Sequence, residues 1–321
     1  MQVYDKINRL NLGPKPYFLP VYSNGSPIWK HPIILAAYTC MPNKIAKLPF
    51  DYDKTLIVSE SGGNLRPGQR PETSTDCLRA QFRAMSDIGL TLDFPTKLRM
   101  SMDKQEKIEF LQSSDYERKK SLDKTIQCAE EAIQLKPQFE SIFEHEMELM
   151  AVIQGWNLPS AIFCTNELAS LDFNFYAFGL VSTVTSAATI NQETILEELN
   201  WIRDIIGKKA WLHLLGTTNV NFLRLAKDLI TSFDSARLSH YAAFGMALHE
   251  DGSIISLKRD ITQRGKSKYI QEKVKSQELP VLCDREESSL LPIPSKGEDY
   301  RKIQEINYEN FMKILNRTLW V

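Results

Sequence analysis

Residues 211–249 run WLHLLGTTNVNFLRLAKDLITSFDSARLSHYAAFGMALH. An apolar run closes at Gly216, apolar residues at helical spacing follow at Phe222, Leu225, Leu229 and Ile230, and a short β-rich segment stops at Asp234. The order is strand, helix, strand, with an acid at the tip of the second strand. In parallel α/β folds ligands lie outside the carboxyl ends of the strands, which would put Asp234 where chemistry happens. Asp234 is equally suited to cap the segment that follows it, so this stretch alone leaves both readings open.

Working outward, the same unit recurs. Residues 55–63, TLIVSESGG, carry an apolar run that ends at Glu60 beside a glycine pair, where the backbone can turn sharply or approach a ligand. Residues 89–96, GLTLDFPT, end a short strand at Asp93 with Pro95 behind it. One such acid is usually a solvated turn residue; three strand-end carboxylates, Glu60, Asp93 and Asp234, are harder to assign to turns alone. Between them, residues 73–88 read as a helix opened by Thr or Ser with an acid in its first turn.

Residues 104–149 are strongly helical, with an apolar face of Leu122, Ile126, Ala129 and Ile133, and Pro137 predicts a division into two helices. Strands ending at Gln154-Gly155 and at Gly179-Leu180 follow, and then a helix over 192–207 closed by Gly207. Near the start, PYFLPVY and HPIILAAY are two β-rich runs separated by the turn signal SNGSP. So many alternations predict a (β/α)₈ TIM barrel, for which the chain is long enough. The doubly wound open sheet competes, but neither GxGxxG nor GxxxxGK[ST] occurs.

The 321 residues carry a net charge of −1, so any attraction to nucleic acid must come from local clusters. The clearest is Lys258 to Lys275, with seven basic residues against two acids. Lys258, Arg259, Arg264, Lys266 and Lys268 could contact phosphates and Tyr269 could stack on a base, or the run could be a solvated face. The expected organisation is a barrel domain over 1–257, then the basic segment and a C-terminal helical extension over 258–321, with the final helix at 299–316 packing through Ile303, Ile306, Phe311 and Ile314. Five cysteines stand singly, with no CxxC pair. Together with the lack of an apolar signal core or a membrane-length apolar run, they imply a cytoplasmic protein with free thiols.

Taken in order, SESGG, LDFP, VIQGW, AFGLVS, HLLG and SFDSAR resemble the motifs of the tRNA-guanine transglycosylases over about residues 15–257. The resemblance implies a (β/α)₈ pentosyltransferase that replaces guanine in a nucleic acid with a 7-deazaguanine. By position, Asp234 matches the family's nucleophilic aspartate and Asp93 the acid that reads the guanine edge. Gln154, Gly179, Leu180, Leu215 and Gly216 fall where the base pocket supplies amide and backbone hydrogen bonds. Glu60 stands where the family has an aspartate with acid/base or substrate-contact duty.

There are departures. Glu60 is one methylene longer than that aspartate, and Asn64 replaces a phenylalanine that stacks on the base. The family's zinc set, a CxCxxC triad and a histidine, is reduced to Cys283 with no histidine after His249, so neither zinc nor any other cofactor is expected. This loss, with no recognisable RNA-binding appendage, favours DNA over tRNA as the polymer. The expected chemistry is base exchange through a covalent aspartyl-glycosyl intermediate, with a nucleic acid and a 7-deazaguanine base as partners. The alternatives are a tRNA enzyme of the queuosine or archaeosine type, a non-catalytic partner subunit of such an enzyme, or an unrelated barrel; a homodimer is compatible with any of them.

Overall fold

The computed structural model describes residues 2–22, 31–36, 50–62, 71–96, 114–179, 192–256 and 298–321. Eight strands close into one barrel in the order of the chain: β1 (Tyr17–Tyr22), β2 (Ile33–Ala36), β3 (Leu56–Ser59), β4 (Ile88–Leu90), β5 (Glu148–Ile153), β6 (Phe175–Phe178), β7 (Trp211–Leu214) and β8 (Ser232–Ser235). Each pair from β2–β3 to β7–β8 is parallel, so the carboxyl ends of β2 to β8 share one rim. Strands β2 to β5 read as near-continuous apolar runs because barrel strands are covered by the lumen on one face and by helices on the other.

The helices begin where the sequence supplies caps. The Thr73 side chain accepts the Asp76 N–H at the start of α2 (Ser74–Arg83), and Ser114 with Glu117 forms a capping box on α3 (Asp115–Phe143). Contrary to expectation, Pro137 does not divide α3, which runs unbroken through it. Proline in a helix costs about 3 kcal/mol through its lost hydrogen bond and ring clash. Here Ala132 and Phe139, on either side of it, bury into one cluster with Leu78, Phe82, Met147 and Leu149, and that packing holds both halves in line. Phe82 stacks on Phe139 and Phe143 with ring centroids 5.6 and 5.7 Å apart. Ile133 is exposed and Ala132 takes its expected place in the core.

The remaining barrel helices are α4 (Leu158–Ala169), α5 (Gln192–Ile206) and α6 (Val220–Ala226). The last is only two turns long, which leaves Leu225 exposed while Phe222, Leu223 and Ala226 are buried. At the amino end of the strands, α1 (Gln2–Arg9) sets Tyr4 against Phe175 and drives Lys6 into the protein. The Lys6 ammonium reaches both Asp87 oxygens at 2.8 and 2.7 Å, and Asp87 Oδ2 also accepts the Ile57 N–H at 2.7 Å. Burial pushes the Asp87 carboxyl up, and Lys6 offsets only part of that rise.

Compactness separates Met1–Leu19 with Lys30–Asp234 from a second unit, Pro20–Trp29 with Ser235–Val321. The division expected between 257 and 258 falls where the described residues stop. The second unit contains α7 (Arg237–Ala243), an antiparallel pair of β9 (Met246–Leu248) and β10 (Ile254–Ser256), and α8 (Glu298–Thr318). Buried Asn307 fastens α8 by accepting the Leu248 N–H at 2.6 Å and donating to the Leu238 and Met246 carbonyls. Ile303 and Phe311 are buried as expected, whereas Leu315 rather than Ile314 is the fully buried residue of the last turns. No described helix is long and apolar enough to cross a membrane.

Removing one partner of a buried ion pair strands the other charge, a loss of about 3–5 kcal/mol. Lys6→Met is therefore expected to lower the stability of the barrel unit by about 3 kcal/mol in urea unfolding at pH 7. A loss below about 1 kcal/mol would place the pair in the surface class.

Candidate functional site

Asp234 is the third residue of β8 and is 4% exposed. Register pairs Ser232 with His213 of β7, so His213 and Asp234 meet at the barrel's carboxyl end. Asp234 Oδ1 accepts the Gly216 N–H at 2.8 Å and lies 3.1 Å from His213 Nε2. Gly216 has φ +79°, a left-handed turn that a side chain would strain, and this turn carries its N–H back over the carboxylate. Thr217 N–H bonds the Asp234 carbonyl at 2.8 Å, fixing the loop to the strand that it covers. The second oxygen, Oδ2, takes no hydrogen bond from the described residues.

Asp93 lies three residues beyond β4 and both of its oxygens are held. Ser61 Oγ donates to Oδ1 at 2.5 Å and Gln154 Nε2 donates to Oδ2 at 2.7 Å. Gln154 follows β5 directly, and its N–H points at Cys164 Sγ of α4 at 3.5 Å. Burial pushes the Cys164 thiol up to about 12, so the sulfur remains a neutral S–H. Gly155 permits this approach, because a Cβ there would lie 2.6 Å from the Ala161 backbone nitrogen. On the other flank of Asp93, Thr125 Oγ1 of α3 accepts the Phe94 N–H at 2.9 Å and the Lys124 ammonium lies 4.1 Å from the Phe94 ring centre. Helix α3 thereby anchors the LDFP loop.

Glu60 follows β3, with its N–H on the Ala36 carbonyl at 3.1 Å. Burial pushes its carboxyl up to about 8, and the charges of Asp234 and then Asp93 push in the same direction. Asp234 and Asp93 therefore each lie within electrostatic reach of Glu60. Part of the Glu60 surface stays open to solvent, so the proton it holds can exchange. Beneath it, the buried Gln81 amide donates to the Leu90 carbonyl at 2.8 Å and lies 3.4 Å from the Glu60 carbonyl, tying the ends of β3 and β4 together.

Gly179, after β6, touches the same cluster: a Cβ there would sit 3.2 Å from Gln154 Nε2 and 3.7 Å from a Leu215 methyl. The N–H groups of Gly179, Leu215 and Gly216 are already committed to the Ile153 carbonyl, the Phe178 carbonyl and Asp234. Leu180, Asn64, Cys283, Tyr269 and the basic residues Lys258, Arg259, Arg264, Lys266 and Lys268 lie outside the described residues. Among the described residues no group of three or more His, Cys, Asp or Glu side chains is placed to hold a metal ion.

Two residues with direct roles in this geometry had no place in the expectations, Ser61 and His213. Ser61 sits in SESGG as an ordinary loop serine. His213 sits inside the apolar run of β7, and its one signal is a polar ring in a strand otherwise made of Trp and Leu.

A family model described as queuine tRNA-ribosyltransferase matches residues 68–275. The matched span includes Asp93, Gln154, Gly179, Leu215, Gly216 and Asp234, and begins after Glu60. No curated protein matches the chain.

A carboxyl raised from 4.5 to about 8 in the folded protein favours folding while it is protonated. The contribution is full below pH 4.5 and is lost as pH rises through about 8. The melting temperature of the wild type is therefore expected to fall across that interval, and Glu60→Gln to flatten this part of the profile and melt higher than wild type at pH 9. Identical profiles for the two proteins would mean that Glu60 is not held in its neutral form.

Proposed function

The chain belongs to the queuine tRNA-ribosyltransferase family, whose members are guanine-exchanging pentosyltransferases, and on that premise we propose that it replaces guanine in a nucleic acid with a 7-deazaguanine. The observation that carries the reading is the division of labour among the three carboxylates. Asp234 has one oxygen clamped and one unbonded, Asp93 is held as an acceptor, and Glu60 is disposed to keep a proton near neutral pH.

In this reading Asp234 Oδ2 attacks the anomeric carbon. The C1′–N9 bond breaks, its electron pair leaves with guanine, and Glu60 supplies the proton that neutralises the departing base. The sugar remains on the enzyme as an aspartyl ester, which keeps it from water. Glu60, now a carboxylate, takes the N9 proton of the incoming deazaguanine as that nitrogen attacks C1′ and releases Asp234. Two inversions give net retention, as in retaining glycosidases. Asp93 accepts from the N1 and N2 hydrogens of either base, whereas adenine, which lacks them, would set its N1 lone pair against the carboxylate.

For the polymer, DNA is proposed ahead of tRNA, because residues 257–297 carry the basic run and a lone Cys283 where the family's zinc set would stand. Reaching C1′ in a duplex requires flipping the nucleotide out, at a cost of about a few kcal/mol. Phosphate contacts from Lys258, Arg259, Arg264, Lys266 and Lys268, with Tyr269 stacking on an exposed base, would offset part of that cost. Helix and strand ends supply every group that the scheme needs, so no cofactor is invoked.

The test is release of labelled guanine from DNA and from tRNA, offered separately with a 7-deazaguanine. Release from DNA is expected, and release from tRNA alone would reassign the polymer. Asp234→Asn is expected to lower exchange by about four orders of magnitude while the protein stays folded. Asp93→Asn should retain the first chemical step with kcat/KM down about a hundredfold and a relaxed base preference. A wild type that binds polymer but releases guanine from neither would favour the partner-subunit alternative.

A further inference from the structure

Four side chains on β7 and β8 form one directed line. Trp211 Nε1–H donates to Ser232 Oγ at 2.7 Å, Ser232 Oγ lies 2.8 Å from His213 Nδ1, and His213 Nε2 lies 3.1 Å from Asp234 Oδ1. Ser232 and His213 are fully buried, so each hydrogen in the line needs a partner inside the protein. The indole can only donate, and an ionised carboxylate can only accept. Fixing the two ends fixes the middle: Nε2 must carry hydrogen toward Asp234. The Ser232 hydroxyl, having accepted from Trp211, then has Nδ1 as the acceptor for its own hydrogen. The neutral Nε2–H tautomer is the assignment that satisfies every group in the line.

We infer that this line makes His213 a positioning residue for Asp234, and this rests on the reading of Asp234 as the nucleophile. The His213 and Gly216 donors both fall on Oδ1. They hold the carboxylate in one rotation and leave Oδ2 as the oxygen without a donor from the described residues. When the second base attacks C1′ and the ester C1′–Oδ2 bond breaks, its electron pair returns to a carboxylate whose other oxygen already carries two donors, so the developing charge is met without rearrangement. Ser232 and Trp211 act one and two steps further back, by reinforcing the tautomer that turns Nε2–H toward Asp234. Parallel register is what allows it: pairing of His213 with Ser232 puts Asp234 two residues on, over the ring's far nitrogen.

The test joins a spectroscopic and a kinetic readout on the full-length protein. With ¹⁵N-labelled histidine, the buried His213 of the wild type is expected to show a protonated Nε2 and an unprotonated, acceptor Nδ1. In Ser232→Ala the Nδ1 signal should lose the shift that comes from accepting the Ser232 hydrogen, while Nε2, still against Asp234, stays protonated. In single-turnover exchange His213→Phe should lower the chemical rate by about ten- to a hundredfold, the worth of one hydrogen bond to a charged group, with KM for the polymer unchanged. His213→Gln, whose amide can still donate to Oδ1, should recover most of that loss; packing alone would make Phe the better replacement. An Nδ1–H tautomer in the wild type, or a His213→Phe enzyme as fast as wild type, overturns the inference and leaves the exchange reading standing. A wild type with no exchange overturns that reading, and the tautomer measurement still decides the line.

Discussion

Carboxyl groups gathered at the rim of a barrel repel one another, and burial weakens the screening that solvent would give. The Glu60 carboxyl feels both Asp234 and Asp93 on top of its own burial. The chain settles this by spending its hydrogen-bond donors unequally. Asp93 receives a hydroxyl and an amide, Asp234 receives a backbone N–H and an imidazole, and Glu60 keeps a proton up to about pH 8. Burial does most to raise the Glu60 carboxyl, and the two better-supplied carboxyl groups beside it add to the effect.

That arrangement depends on rigid support from parts that never touch a substrate. Each donor sits on, or within a few residues of, a strand end: Ser61 after β3, Gln154 after β5, His213 in β7 and Gly216 after it. Parallel pairing brings these ends to one rim, and Gln81, Thr125 and Cys164 hold the loops from outside the barrel. At the opposite end, the ion pair of Lys6 and Asp87 reaches from α1 to the start of β4 and, through the Ile57 N–H, to β3. One carboxylate thereby registers the two strands whose far ends lead to Glu60 and Asp93.

Much of this was readable in the residues, because the strands advertise themselves. TLIVSE and TLDFP each stop an apolar run at an acid, and in a parallel fold an acid at a strand end points at a site. Alternation of such runs with capped helices was enough for the barrel. What escaped detection shares one cause, dependence on a partner far along the chain. His213 looks like a blemish in an apolar strand until Ser232 and Asp234 are set beside it by register. Lys6 reads as an ordinary surface lysine until Asp87, 81 residues later, is found beneath it. Pro137 breaks a helix by local rules, and only the burial of Ala132 and Phe139 in one cluster shows why it does not. The β9–β10 pair was missed because each strand is only three residues long.

The central claim is that Asp234 becomes covalently joined to the sugar, and the most direct measurement is the mass of the peptide that contains it. Wild-type protein mixed with guanine-containing DNA, without any acceptor base, would be quenched in acid, digested with nuclease and protease, and mapped by mass spectrometry. The account predicts a sugar-phosphate increment on Asp234 that disappears when a 7-deazaguanine is added before the quench. An increment on Glu60 instead, or active exchange with every carboxylate unmodified, would contradict it.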